Sequence, residues 1–462
     1  MPRAARLIAL LVLVAALAAA APAAGASKSR KIQWIHTGHI GKKGDGPGKF
    51  PGATGAVAVE QDCGYVFIVD PEQKRIYRFS KSGKLLGVFA DPENGRIDDP
   101  HGMEVNQPFN GRVQFDGPPP TCGLLTTANP SLMLADWGKS QESPGRISFY
   151  SARDGSFNGA WCETAGTGCK RLGTIVPAGS QEVNGMDPFP TDVDAKGDRI
   201  WIAGAYGGRV REYDFEPRFR RQTSRTANYP TGPSSISVGD APGYFWATDD
   251  SASEVVLFDL DPSNSEINQE ATIGDDYSTS TPGRFGSPSA VEVGPAGRFF
   301  DDLFVLDGER VQVFTPGGGC GCLLTQPELR RVIELPGDNF AGKYMDVRYD
   351  GTIYVTGRHS EGADVYTPGV IITLKTKARK NRRITLSGRI FPPHARTRIR
   401  LERLEQGWET IETVPIKDGS RFSHVWRAPR AGKTYAVRAF FRDPHRFHMN
   451  RNSEIKHVKA KK

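Results

Sequence analysis

An acidic position that recurs along the chain, one histidine close to it and six cysteines are the residues of this sequence best placed to do chemistry. Several short apolar runs end on a valine. The residue before that valine reads, in order, Ala58, Glu104, Asp192, Ser237, Glu292 and Asp346. If those runs are strands gathered around one axis, Glu104, Asp192, Glu292 and Asp346 converge on it. Carboxylates brought together repel one another unless they are protonated, solvated or bridged by a cation. Hard oxygen donors of this kind favour Ca2+, which makes the four residues a candidate metal site. The competing reading is structural: the same side chains lean between neighbouring strands and accept hydrogen bonds from arginines or backbone amides. A register error of one residue would turn all of them away from the axis.

His101, in Asp-Pro-His-Gly, falls near the same end of its run. The matching positions elsewhere are Gly55, Phe189, Ser234, Ser289 and Lys343, so no ring of metal-binding histidines can be built. His101 and Lys343 are therefore candidates for lining a ligand-binding mouth. Familiar catalytic motifs are missing. Gly48-Lys49 lacks the upstream glycine of a phosphate-binding loop, and neither His-Glu-x-x-His nor Gly-x-Ser-x-Gly occurs. Asp259, Asp261, Ser263, Ser265 and Glu270 fall at calcium-loop spacings, but Asn264 stands where that loop needs Gly and Pro262 intrudes, so a hairpin turn is expected there. No acid, base or nucleophile stands in a defined role, and a catalytic assignment is not expected.

The cysteines are Cys63, Cys122, Cys162, Cys169, Cys320 and Cys322. None shows the paired spacing of a zinc site, and structural disulfides fit them better. Cys162 and Cys169 flank a small loop they can close. A bond within Cys320-Gly-Cys322 would be strained. The preferred pairing is Cys63 with Cys122, at analogous turns of consecutive units. An oxidising compartment agrees with the N-terminus, where Met-Pro-Arg-Ala-Ala-Arg, an apolar run from Leu7 to Ala21 and Ala24-Gly25-Ala26 supply the three parts of a secretory signal. Residues 1–26 are expected to be a cleaved signal peptide; the alternative is an uncleaved membrane anchor, for which the apolar run is short. The mature chain is then secreted or associated with the cell envelope, with no transmembrane span.

What must position the acidic residues is a set of repeated strand groups. The stretch AVAVEQDCGYVFIVD, followed by KRIYRFSKSGKLLGVFA, holds four apolar runs separated by turns, one four-stranded antiparallel unit. The pattern returns at SLMLAD, DRIWIAG, YFWATDD, DLFVLD and GTIYVTG, at intervals of 45 to 68 residues. Six irregular copies of a sheet-sized unit imply a radial array rather than a sandwich. The Gly-x-Gly-x-Gly-x-Phe lead at Gly44–Phe50, the Val-Asp at Asp70 and the Arg-Ile opening the next run resemble the NHL repeat over about residues 31–368. That resemblance implies a six-bladed β-propeller in which Asp70 with Arg75, and Asp136 with Arg146, are structural partners. Propeller lyases and lactonases use acidic or histidine ligands around such a mouth. The last copy lacks a fourth strand, and Ile32 to Ile40 is expected to supply it.

Residues 370–462 differ in character. They carry 24 Lys plus Arg against 7 Asp plus Glu, a net +17 in a chain of +8, which leaves the rest at −9. Seven short alternating runs, with Leu386-Ser-Gly-Arg389, Gly407-Trp408 and Tyr435-Ala-Val-Arg438-Ala, resemble bacterial Ig-like β-sandwich modules. The chain is thus expected to be all-β, with a signal peptide at 1–26, a six-bladed propeller at 27–369 and a basic Ig-like sandwich at 370–462. Export and the lack of a recognition helix argue against a nucleic-acid partner; attraction to an anionic envelope polymer is the stronger reading. The expected function is that of a non-catalytic binding or scaffold protein recognising a protein, peptide or glycan. The alternative is a calcium-type propeller hydrolase or lyase acting on a lactone, ester or similar small substrate. Insertions at 106–130 and 316–327 are expected on one face, and 162–186 on the face holding His101.

Overall fold

The run Val66–Asp70 is buried at every position, whereas Leu85–Phe89 alternates towards solvent. That contrast is the one expected between an inner strand covered on both faces and an outer strand covered on one. The structure is a computed structural model. It describes residues 34–61, 63–89, 97, 99–106, 131–140, 143–162, 181–182, 189–205, 208–214, 218–223, 233–239, 243–260, 267–274, 277–278, 280–294, 302–317, 325–335, 342–357, 361–391, 397–417, 420–442, 451–453 and 455–462. The signal segment, Cys122, Cys169, Cys320, Cys322, Asp261, Ser263 and Ser265 lie outside the described residues, as does most of each long insertion.

The fold is an all-β propeller followed by a two-sheet sandwich. Val57–Val59, Val66–Asp70, Arg75–Phe79 and Leu85–Phe89 form an antiparallel sheet in chain order. Equivalent sheets begin at Pro100, Pro190, Ile236, Pro288 and Gly342. The first strands of the six sheets touch in a closed ring, so each sheet packs on the next and the innermost strands line the axis. Apolar side chains from neighbouring sheets merge between them: Met133, Ile147 and Trp161 pack with Val193, Ile202 and Tyr213. Each large side chain fully buried there contributes about 1.5–3 kcal/mol.

The ring closes through the N-terminal strand. Trp34–Ile40 pairs antiparallel with Ala363–Pro368 and completes the sheet begun by Gly342–Val347, which removes an open edge. His36 Nε2 and His39 Nδ1 both lie 3.0 Å from Asp364 Oδ1 across this seam. The shared carboxylate raises the His39 pKa above its ordinary value, and the two imidazoles hold Asp364 below its own. The His39 contribution is therefore complete below about pH 6.5 and is lost as pH rises through the raised value. Gly362 fits this seam with φ +146° and no room for a Cβ, which would stand 2.0 Å from the Ile40 carbonyl oxygen. Gly362→Ala should free the N-terminal strand. Limited proteolysis should then cut between residues 34 and 50 in the variant and leave the parent protein intact there.

The second strand of several sheets ends in a buried aspartate, but its partners vary. Asp70 and Arg75 are register neighbours, yet the Asp70 carboxylate takes the backbone and side-chain nitrogens of Gln73 at 2.9 and 2.7 Å. Asp70 and Arg75 are thus partners in the strand register, while the Asp70 carboxylate is held by Gln73. Asp136 and Arg146 face each other in register, and Asp136 Oδ1 accepts the Asp99 amide. In the fifth sheet the pair does form: Asp307 and Arg310 join through two nitrogens at 2.8 and 3.0 Å. Glu254–Asp259 and Asn268–Ile273 pair antiparallel, so the segment carrying the calcium-loop spacing connects two strands of one hairpin.

In the sandwich, Ile371–Ala378, Arg383–Phe391 and Arg421–Arg427 form one sheet, while Trp408–Pro415, Arg398–Leu404, Thr434–Phe441 and two short C-terminal strands form the other. Ile384, Leu386 and Phe422 from the first sheet meet Ile399, Leu401, Val437 and Phe441 from the second in one apolar core.

Candidate functional site

Pairing with the second strands fixes which inner-strand residues share a level on the axis. Ala58 faces Phe67, Glu104 faces Met133, Ser237 faces Trp246, Glu292 faces Phe304 and Asp346 faces Tyr354, each three residues before Asp70, Asp136, Asp249, Asp307 or Gly357 in its partner strand. In the third sheet that level belongs to Asp194, opposite Trp201; Asp192 lies opposite Ala203. The valine alignment therefore slipped by two residues in this copy. Because side chains alternate with a period of two, Asp192 still faces the axis, one level towards the mouth. The axis thus carries a fifth acidic residue, Asp194, that sequence reasoning missed. His101 shifts likewise: it occupies a β-bulge whose equivalents in the third, fifth and sixth sheets are Thr191, Ser289 and Lys343, so Thr191 rather than Phe189 is the third-sheet counterpart.

The five carboxyls border a narrow cavity of about 30 Å³ whose walls come from all six sheets. Asp192 accepts the backbone N–H of Ile236 at 2.9 Å, and Asp194 that of Val238 at 2.6 Å. Ser235 and Ser237 accept from Val291 and Val293 at 3.2 and 2.9 Å, and Asp346 accepts from Val59. An inner-strand side chain of one sheet thus binds the inner-strand amide of the next. This is the structural role weighed above, and it accounts for Asp192, Asp194 and Asp346. The other two acids are differently placed. Glu292 receives one bond, from the Ser237 hydroxyl at 3.3 Å. Glu104 has no hydrogen-bond donor among the described residues and projects into the cavity.

Burial dominates the electrostatics. Removal from water, followed by repulsion from Asp346, Asp194 and the other acids, pushes Glu104 and Glu292 well above the usual carboxylate range. Desolvation also raises Asp192 to about 7, Asp194 to about 6 and Asp346 to about 8, against the lowering effect of their amide donors.

His101 and Tyr344 line the cavity beside the acids. The His101 ring stands edge-on to Trp137 with centroids 4.5 Å apart, and its Nε2 lies 3.5 Å from Asp99. Lys343 sits with its ammonium 4.9 Å from the Tyr344 ring centroid. The hydroxyls nearby are engaged: Ser234 Oγ is 2.7 Å from Thr248 Oγ1, and Ser289 Oγ donates to the Gly342 carbonyl. Among the described residues no three acidic, histidine or cysteine side chains are arranged to hold one metal ion. A calcium ion needs six to eight oxygens at about 2.3–2.6 Å. Glu104, Asp192, Glu292 and Asp346 come together around one cavity, and each amide bond to Asp192 and Asp346 occupies one lone pair of a carboxylate oxygen. Cys63 donates its backbone N–H to Glu60 at 2.7 Å, and the strand Phe157–Cys162 carries Cys162. Neither belongs to the axial site.

No protein-family model matches the chain, and no curated protein does. Solved structures with a similar course include a gluconolactonase from Xanthomonas campestris (13% identity, TM-score 0.44, 72% of this chain and 98% of that one). Another is the WD40 β-propeller domain of Doa1 (13% identity, TM-score 0.41, 72% and 97%). A third is the calcium-binding protein regucalcin from Agrobacterium tumefaciens (11% identity, TM-score 0.40, 72% and 93%). At these values the likeness concerns architecture and says nothing of substrate.

Proposed function

We propose that the propeller binds an organic cation in its axial well, an ammonium or guanidinium group borne by a small molecule or by a basic side chain of a peptide. The observation that carries this reading is Glu104, a half-buried carboxyl with no donor among the described residues, which shares with Glu292 a cavity wide enough to admit a group the size of an ammonium. An ammonium supplies the donor that Glu104 lacks and a second one to Glu292, and charge-assisted bonds to both would offset their desolvation. Met103, Ala290, Met345 and Tyr344 offer apolar contact for the carbon stem. Ser235 and Ser237 serve the inter-sheet ladder, Ser234 and Ser289 bond to Thr248 and the Gly342 carbonyl, and no serine among the described residues is bonded to His101, which favours binding over catalysis for these groups. The basic N-terminal segment and its apolar run support export, and hence a secreted or envelope-associated binding protein. The glycine-rich lead at Gly44–Phe50 supports reading the sheets as a six-bladed NHL-type propeller, and the strand motifs of 370–462 support an Ig-like module.

Titration calorimetry of the purified mature chain with 1,5-diaminopentane and with CaCl2 tests the proposal. One diamine bound per chain, with no heat from calcium, is the expected result. One calcium bound per chain, with the diamine silent, would overturn it in favour of the calcium-type hydrolase or lyase. Silence from both would leave the acids as inter-sheet fasteners alone.

A further inference from the structure

The cations of the C-terminal sandwich are not paired in the same way in its two sheets. In the larger sheet three arginines are paired with carboxylates. Glu402, 2% exposed, accepts Arg400 Nε at 2.6 Å and Arg438 Nε at 2.7 Å, and Arg403 pairs with Glu409 at 2.8 Å. In the three-stranded sheet Ile372, Leu374, Ile384, Leu386 and Phe422 point into the core. Alternation therefore sends Lys375, Lys377, Arg383, Arg389, Arg421 and Arg427 to the outer face, where all six are exposed. No carboxylate pairs with any of them among the described residues. Arg383 stands directly opposite Arg427, and Arg389 directly opposite Arg421. Like charges in direct register destabilise a sheet, so this face is arranged at a cost to folding.

We propose that this face is a docking surface for a linear acidic polysaccharide. Arg383 and Arg389 are separated by six residues, about 20 Å along the strand, and adjacent strands lie about 4.8 Å apart, so the cations frame a flat strip open at both ends. A chain-like polyanion matches such a strip in charge and shape. Between the cations stand Thr373, Thr385, Ser387 and Ser423, with Val425 the exposed apolar residue among them. Hydroxyl side chains both donate and accept, as sugar hydroxyls do. The strip carries no aromatic platform of the kind on which unpaired bases stack. Guanidinium groups bind carboxylates through two parallel bonds, which suits uronate units.

The test is binding of the full-length protein to alginate, a uronate polymer, over a series of salt concentrations, with polyphosphate and single-stranded DNA as competitors. The double variant R389S/R421S removes one end of the strip. It should bind alginate at least roughly tenfold more weakly and with a shallower salt dependence, while its thermal stability stays level or rises because a like-charge pair is gone. Arg398→Ser, on the other sheet, should bind as the parent does. Equal alginate binding by parent and double variant would overturn the proposal. So would tighter binding of polyphosphate or DNA than of alginate. A third overturning result is no alginate binding together with expansion of the double variant at low salt, which would mean that the chain's own acidic propeller covers the face.

Discussion

Asp307→Ala is expected to cost about 3–5 kcal/mol of stability, the range for removing one partner of a buried ion pair. Both residues of this pair are 5% exposed. Asp307 Oδ1 accepts the amides of Gly286 and Ser287 at 2.9 Å each, while Oδ2 takes two nitrogens of Arg310. Arg310 then reaches the carbonyls of Ser278 and Arg284 at 2.9 and 2.8 Å. The carboxylate therefore ties the end of one strand to the loop that enters the fifth sheet, and its loss strands a buried guanidinium. Urea denaturation monitored by tryptophan fluorescence measures the effect. Because most of the penalty is the orphaned charge, the volume-matched double change Asp307→Leu with Arg310→Met should recover a good part of it. A loss below about 1 kcal/mol for Asp307→Ala would show that water or a neighbour replaces the carboxylate.

The same aspartate shows what the sequence made legible and what it did not. Strand, turn and repeat were readable because alternation and turn residues are local signals: Asp70, Asp249 and Asp307 end second strands, and Asp136 stands at the matching position of a second strand that runs on to Ser140. Which donor satisfies each aspartate was not readable, since it depends on loop geometry: Gln73 for Asp70, Ser251 for Asp249, Arg310 for Asp307. The axial residues divide in the same way. Facing follows from the period of two and is preserved by a two-residue slip, so Asp192 was placed on the correct face and at the wrong level. Its strand continues beyond Val193 through Asp194 and Ala195, where small Ala195 stands in for the valine that ends the other runs. The pairing of Asp194 with Trp201, three residues before Gly204, was the signal that fixes the level. The basic strip was legible as alternation within each strand, but the register that sets arginine against arginine joins strands with two others between them in sequence.

Affinity for a cation in the axial well should rise as pH increases from about 5 to about 8, with protons released on binding. The sign follows from the raised carboxyls. With Asp192 lifted to about 7, Asp194 to about 6 and Asp346 to about 8, and with Glu104 and Glu292 also raised, the free well holds protons in weak acid. A cation favours the ionised forms and must displace those protons, so binding is weakest where they are held most firmly. Calorimetry in buffers of different ionisation enthalpy reads the released protons directly; proton uptake, or affinity flat across this range, would refute the cluster as the binding site. The ligand-free chain follows the same linkage. Its acids bind protons more tightly folded than unfolded, so the stability they contribute is complete below about pH 4 and declines as pH rises through about 8. The raised His39 of the seam loses its contribution in the same direction, whereas the lowered Asp364 loses its own only as pH falls below about 4, so a variant is necessary to separate the seam from the well. Glu104→Gln removes a carboxyl that no donor satisfies, and should raise the ligand-free melting temperature at pH 8 while weakening diamine binding by roughly tenfold or more. Asp364→Asn should instead flatten the seam's share of the pH dependence and leave diamine affinity unchanged. A Glu104→Gln protein less stable than its parent at pH 8 would mean that Glu104 already has a partner in the folded chain, and that the well is a fastening rather than a site.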